Sequence, residues 1–113
     1  MSSAEVRGAA RQLAAGLRYT RSQAILGSQE TELVLDLDRR TYRLPDKARE
    51  FQLAEELAIT LVTARSEVIT GEQGMIRFFP DGSSTGGRIT VSKGNQTYIV
   101  DVDWLSGRVV LID

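Results

Sequence analysis

Residues 78–91 read FFPDGSSTGGRITV, with three glycines, two serines and a threonine set between two apolar runs. A loop of this composition admits three readings: a backbone cradle for phosphate, an elbow presenting a serine nucleophile, or a connection between two strands. A phosphate cradle works by converging backbone N–H groups at a helix N-terminus. Here the lysine of a Walker loop is missing, and the segment after the glycines, RITVS at 88–92, reads as a strand. The chain has no histidine, so neither Ser83 nor Ser84 has the imidazole base of a serine triad. Its two lysines, Lys47 and Lys93, leave a Ser-Lys pair formally open, but nothing in the sequence places either near the loop. The strand connection accounts for more residues. Pro80 ends one strand, Asp81-Gly82 makes a tight turn, and Gly86-Gly87 supply the φ > 0 geometry from which the next strand starts.

Strand patterns extend outward from this loop in both directions. ELVLDL (32–37) sets Leu33, Leu35 and Leu37 on one face, and DRR (38–40) turns it into TYRL (41–44), a hairpin closed by Pro45. FQLAEELAITLVTAR is ambiguous in its first half, while AITLVTA (58–64) is β-branched and predicts a strand. TGEQG (70–74) is a turn before MIRFF (75–79). Beyond the loop, RITVS is joined by KGN (93–95) to QTYIVDVDW (96–104), in which Tyr98, Val100, Val102 and Trp104 fall on one face. LSG (105–107) then leads into a last strand, RVVLI (108–112). About seven short strands result, and the segment 45–57 is the least defined.

The N-terminal part has another period. Val6, Ala10, Leu13, Leu17 and Ala24 recur at helical spacing from residue 4 to about residue 27, with Ser2 or Ser3 as N-cap and Gly27 as the stop. Gly8 and Gly16 within this stretch each cost up to about 1 kcal/mol relative to alanine. One helix followed by antiparallel strands predicts an α+β fold of a single domain over residues 1–113, with the helix laid on sheet.

Charge and composition exclude several activities. Formal net charge is −1, split between a front of four arginines against Glu5 (residues 1–26, +3) and an acidic remainder of ten Lys/Arg against fourteen Asp/Glu (−4). The absence of cysteine and histidine excludes disulfides, thiolate nucleophiles and Cys/His zinc sites. No apolar run approaches the roughly 18 residues that span a bilayer. The carboxylate pairs Asp36/Asp38 and Asp101/Asp103 have the i, i+2 spacing that can bind a cation or divide acid and base roles. A half-exposed sheet face produces the same alternation, and that reading is preferred. The helix arginines read as a solvated face rather than a phosphate-binding track. Trp104 reads as a core residue, being on the face of Tyr98, Val100 and Val102.

The stretches LAITLVTARSEV, GMIRFFPDGSSTGGRITVS and YIVDVDWLSGRV, in that order behind an arginine-spotted helix, resemble type II secretion minor pseudopilins of the H type, within the wider GspH/FimT-like group. The resemblance spans residues 4–113 and is sharpest in RFFPDGSSTGG (77–87) and VDWLSGRV (102–109). It implies a type IV pilin-like fold in which Arg77, Phe79, Pro80, Asp81, Gly82, Gly86, Gly87, Trp104 and Gly107 form a structural motif. No catalytic, metal or cofactor site is implied. The partners implied are other pseudopilins, the major one and the minor ones at the tip, with Val6, Leu13 and Leu17 as the candidate assembly face and no nucleic acid. Such proteins carry an apolar first half of the helix, behind a leader, that anchors them in the inner membrane, with the rest in the periplasm. That half is missing here, so the chain is expected to be a truncated soluble form. A FimT-like minor pilin that binds DNA is the alternative, against which stand Asp101, Asp103 and Asp113 in the last strands, where Arg108 is the lone cation.

Overall fold

The computed structural model describes residues 4–113. Helix α1 (Ala4–Gly27) carries its apolar stripe unbroken: Val6, Ala10, Leu13, Ala14, Leu17 and Ala24 are all buried. Two further residues on that side have particular jobs. Gly16 is buried where a β-carbon would stand 3.1 Å from Leu44 Cδ2 and 3.4 Å from Leu33 Cδ1, so its absence lets the helix settle onto the sheet. The Thr20 hydroxyl donates back to the Gly16 carbonyl (2.7 Å), and Thr31 Oγ1 donates to the Thr20 carbonyl (2.7 Å), tying the helix to the first strand. The N-cap expected at Ser2 or Ser3 lies outside the described residues. At the other end the left-handed position falls on Ser28 (φ 52°) rather than on Gly27, and Gln29 N–H reaches back to the Ala24 carbonyl at 3.2 Å. The stop is thus a Schellman-type closure one residue later than the glycine suggests.

Nine strands follow among the described residues, in two antiparallel sheets. The first sheet contains β1 (Thr31–Asp36), β2 (Thr41–Arg43), β3 (Phe51–Gln52), β5 (Val68–Thr70) and β6 (Gln73–Phe78), in the order β3-β2-β1-β6-β5. The second contains β4 (Ala58–Thr63), β7 (Gly87–Lys93), β8 (Gln96–Val102) and β9 (Val109–Ile112), in the order β4-β7-β8-β9. The seven strands legible in the sequence are all present. The two additions, β3 and β5, are edge strands of two and three residues, too short to show alternation. Helix α1 lies across both sheets, and its stripe meets Leu33, Leu35, Ile76, Phe78, Ile89, Val91, Val100 and Val102 in one continuous core.

Burial corrects two expectations. Val6, Leu13 and Leu17 are no more than 1% exposed beneath the chain's own sheets, so they build its core and are unavailable as an assembly face. Trp104 is 66% exposed. Strand β8 ends at Val102, two residues before Trp104, and the alternation that buries Tyr98, Val100 and Val102 ends with it. The carboxylate pairs dissolve for the same reason. Strands β1 and β8 stop at Asp36 and Val102, so Asp38 and Asp103 lie in turns and not on the strand faces of their supposed partners.

Candidate functional site

The loop 79–86 is where the chain passes from one sheet to the other, from β6 to β7. It opens with a tight turn: Gly82 N–H donates to the Phe79 carbonyl (2.8 Å) and Phe79 N–H to the Ser83 carbonyl (2.9 Å). Pro80 enters this turn and Gly82 holds φ 90°, which a side chain would oppose. Asp81 Oδ1 accepts from both the hydroxyl (2.6 Å) and the N–H (2.9 Å) of Ser83, which holds the Asp81 carboxyl below its ordinary pKa. The chain then folds back along β6. Thr85 N–H donates to the Arg77 carbonyl (3.0 Å), Thr85 Oγ1 accepts from Arg77 N–H (3.1 Å), and Ser84 Oγ donates to the same carbonyl (2.7 Å). Both serine hydroxyls are therefore engaged in holding the loop, and neither meets a lysine: Lys93 pairs with Glu5 at 2.7 Å and Lys47 lies over the Tyr19 ring.

The two glycines closing the loop act differently. Gly86 has the positive φ (78°) expected, and a β-carbon there would stand 2.9 Å from Trp104 Cβ. Gly87 is not among the positive-φ glycines; it is required for space, since a β-carbon would stand 2.9 Å from Ile76 Cδ1 and 3.0 Å from the Val62 carbonyl.

A second turn, 103–107, packs against the first. Gly107 N–H donates to the Asp103 carbonyl (2.7 Å), with Gly107 at φ 72°. The N–H and hydroxyl of Ser106 both donate to Asp103 Oδ2 (2.8 Å each) and hold that carboxyl below its ordinary pKa. The two turns touch through Ser84 N–H, which donates to the Trp104 carbonyl (3.0 Å), and through Gly107, whose α-carbon abuts the Gly82 carbonyl. Helix α1 clamps the pair: Arg21 Nε donates to Gly82 O (2.9 Å) and Arg21 Nη2 to Ser106 O (3.1 Å). Arg18 donates to the Val109 carbonyl (3.0 Å) and Arg7 to the Tyr98 hydroxyl (3.2 Å). Three of the four helix arginines thus fasten the helix to the second sheet and its turns, where the sequence suggested only a solvated face.

Arg77, at the loop's entrance, is a hub. Its guanidinium meets Glu67 (2.8 Å), Glu30 (3.2 Å) and Glu32 (3.4 Å), and Glu67 has only 6% of its side chain exposed. Burial works against the charge on Arg77, but the three carboxylates outweigh it and raise its pKa. The remaining acidic candidates are spent locally. Asp36 Oδ1 accepts the N–H groups of Asp38 and Arg39 (3.0 Å each), and Asp101 pairs with Arg88 at 3.1 Å. These side chains order turns and strands, and none of them is presented as an acid–base pair.

An N-terminal helix laid over two antiparallel sheets is a pilin-like fold. Solved structures agree. The minor pseudopilin EpsH from the type 2 secretion system of Vibrio cholerae superimposes with a TM-score of 0.74 at 15% identity, covering 96% of each chain. The type IV minor pilin FimU of Pseudomonas aeruginosa gives 0.70 at 16% identity, covering 96% of this chain and 89% of FimU. Sequence adds the family: residues 9–107 match the one described as type II transport protein GspH. Type II secretion system protein H of Xanthomonas campestris pv. campestris is 36% identical over 104 residues, which is 92% of this chain and 61% of that relative's length. The chain belongs to the GspH family.

Proposed function

We propose that this chain is the globular part of a minor pseudopilin, a structural subunit of the type II secretion pseudopilus that helps drive folded proteins across the outer membrane. The observation that carries this reading is the family match over residues 9–107, which takes in both signature turns and the arginine that clamps them. The chemistry supports a non-enzymatic role, because Ser83, Ser84, Asp81, Asp101 and Asp103 all serve the fold itself. In this reading the partners are other pseudopilins, and the body lies in the periplasm on a protein held in the inner membrane. No helix among the described residues is long and apolar enough to cross a membrane. The structural motif would serve to fix the helix relative to the body.

Deleting the gene in the source organism and comparing culture supernatant with periplasm tests this. Hydrolases retained in the periplasm, with normal DNA uptake, are the expected result. Intact secretion with failed transformation or pilus assembly would instead make the protein a type IV minor pilin.

A further inference from the structure

Beside the helix, away from the signature turns, runs a cleft of about 590 Å³ walled by Gln12, Ala15 and Tyr19 of α1 and floored by Tyr42, Leu44 and Phe51. Tyr42 and Phe51 stack with centroids 5.2 Å apart, giving a firm apolar floor. Two cations stand over its aromatic rings: Lys47 Nζ is 5.1 Å from the Tyr19 ring centroid and Arg49 Cζ is 4.7 Å from that of Phe51. Neither has a carboxylate partner among the described residues, and no acidic side chain lines the cleft. Of the acidic residues of the same segment, Glu50 pairs with Arg39 at 3.2 Å, while Asp46 lines a neighbouring depression with Glu30 and Glu32 that Lys47 also borders. The cleft thus sets two cations over an apolar trough.

We infer that this cleft docks an acidic segment of another protein, one that alternates carboxylates with apolar side chains. Charge complementarity selects the partner. Carboxylates at the rim would meet Lys47 and Arg49, the latter able to bind a carboxylate with two parallel N–H groups. Apolar side chains between them would cover the Tyr42–Phe51 floor. Strand β3 ends its sheet beside the cleft, so an extended segment can lie along it. A nucleic acid fits less well, because it needs a track of cations following its phosphates and only two are present. The inference deepens the subunit reading, since the partner would be a neighbour in that assembly. Its test uses the purified chain, so failure here leaves the secretion experiment standing, and the reverse.

The test titrates ¹⁵N-labelled protein with a pool of nine-residue peptides bearing glutamate at alternate positions and Leu, Ile, Phe or Tyr between them. A matched pool with lysine for glutamate and a ten-residue oligothymidylate are run in parallel. Expected are amide shifts confined to the cleft with the glutamate pool alone, weakened by added salt. Binding should fall about tenfold or more in K47E/R49E, whose two positions are exposed. The milder R49Q variant should show an intermediate loss if the double variant does not fold. Silence with the glutamate pool, shifts elsewhere on the molecule, or affinity unchanged by these substitutions would overturn the inference. So would tighter binding of oligothymidylate, which would make the cleft a nucleic-acid site.

Discussion

Gly107 and Gly82 are in backbone contact: a β-carbon on Gly107 would overlap the Gly82 carbonyl oxygen, the same oxygen that accepts Arg21 Nε at 2.9 Å. Two turns 25 residues apart in sequence therefore meet at one carbonyl, and the helix reaches both turns through one side chain. Replacing Arg21 with methionine keeps much of its aliphatic bulk and removes two hydrogen bonds from a charged donor. A loss of about 2 kcal/mol is expected, measured by urea unfolding. Gly107→Ala should cost at least as much, since it combines the overlap with a side chain at φ 72°.

The two glycines inside α1 should respond in opposite ways to alanine. Nothing lies within 4 Å of a β-carbon at Gly8, so Gly8→Ala should stabilise by up to about 1 kcal/mol through helix propensity alone. At Gly16 the same gain is set against Leu44 and Leu33, and the net effect should be neutral or destabilising. Thermal midpoints of the two single variants decide it, and equal gains would mean that the helix does not sit as closely as described.

Trp104 is the chain's single tryptophan. With 66% of its surface exposed, its fluorescence should peak near that of indole in water, shift little on unfolding, and be quenched readily by iodide in the folded state. A blue-shifted, protected emission would show that Trp104 is covered in solution.

Acid should weaken the turns. The Ser83 hydroxyl and N–H hold Asp81 below its ordinary pKa, the Ser106 N–H and hydroxyl do the same for Asp103, and Lys93 does so for Glu5. A carboxyl with a depressed folded-state pKa contributes stability above its unfolded pKa, and that contribution is lost as pH falls through the folded value. Stability should therefore be level near neutrality and decline below about pH 4. Denaturation midpoints for D81N/D103N across that range should fall less steeply than those of the parent.

Arg77→Leu leaves Glu67 buried without its cation. About 2 kcal/mol should be lost, less than for a fully buried pair because Arg77 keeps a quarter of its side chain in solvent. Glu67→Gln in the same background should restore part of the loss, since a neutral amide costs less to bury.

The parts of the fold that were legible in the sequence are the periodic ones. The helix stripe and the strands around Leu33, Ile89 and Val100 repeat at 3.6 and 2, and their burial follows directly. Trp104 broke the rule because parity along a strand has no meaning past its last residue, and no local signal placed that end at Val102. The mistaken reading of Val6, Leu13 and Leu17 as an assembly face has another cause. A stripe shows that a helix must be covered, but the sequence does not say whether its own sheets or another subunit cover it. The arginines were illegible for a third reason: Arg18 and Arg21 donate to carbonyls, and a backbone acceptor leaves no mark in side-chain pattern. The glycine-rich loop was readable as a connection, though not as the passage between two different sheets.

At 1.5 Å per residue, the 24 residues of α1 span about 36 Å of a body whose long dimension is 43 Å. Its buried stripe runs from Val6 to Ala24, and Arg21 binds the far turns only three residues before that stripe ends. The helix is thus a keyed axle rather than a hinged arm. A helix displaced along or about its axis must either carry the turns that bear Trp104 and Leu105 with it or break the hydrogen bonds of Arg21.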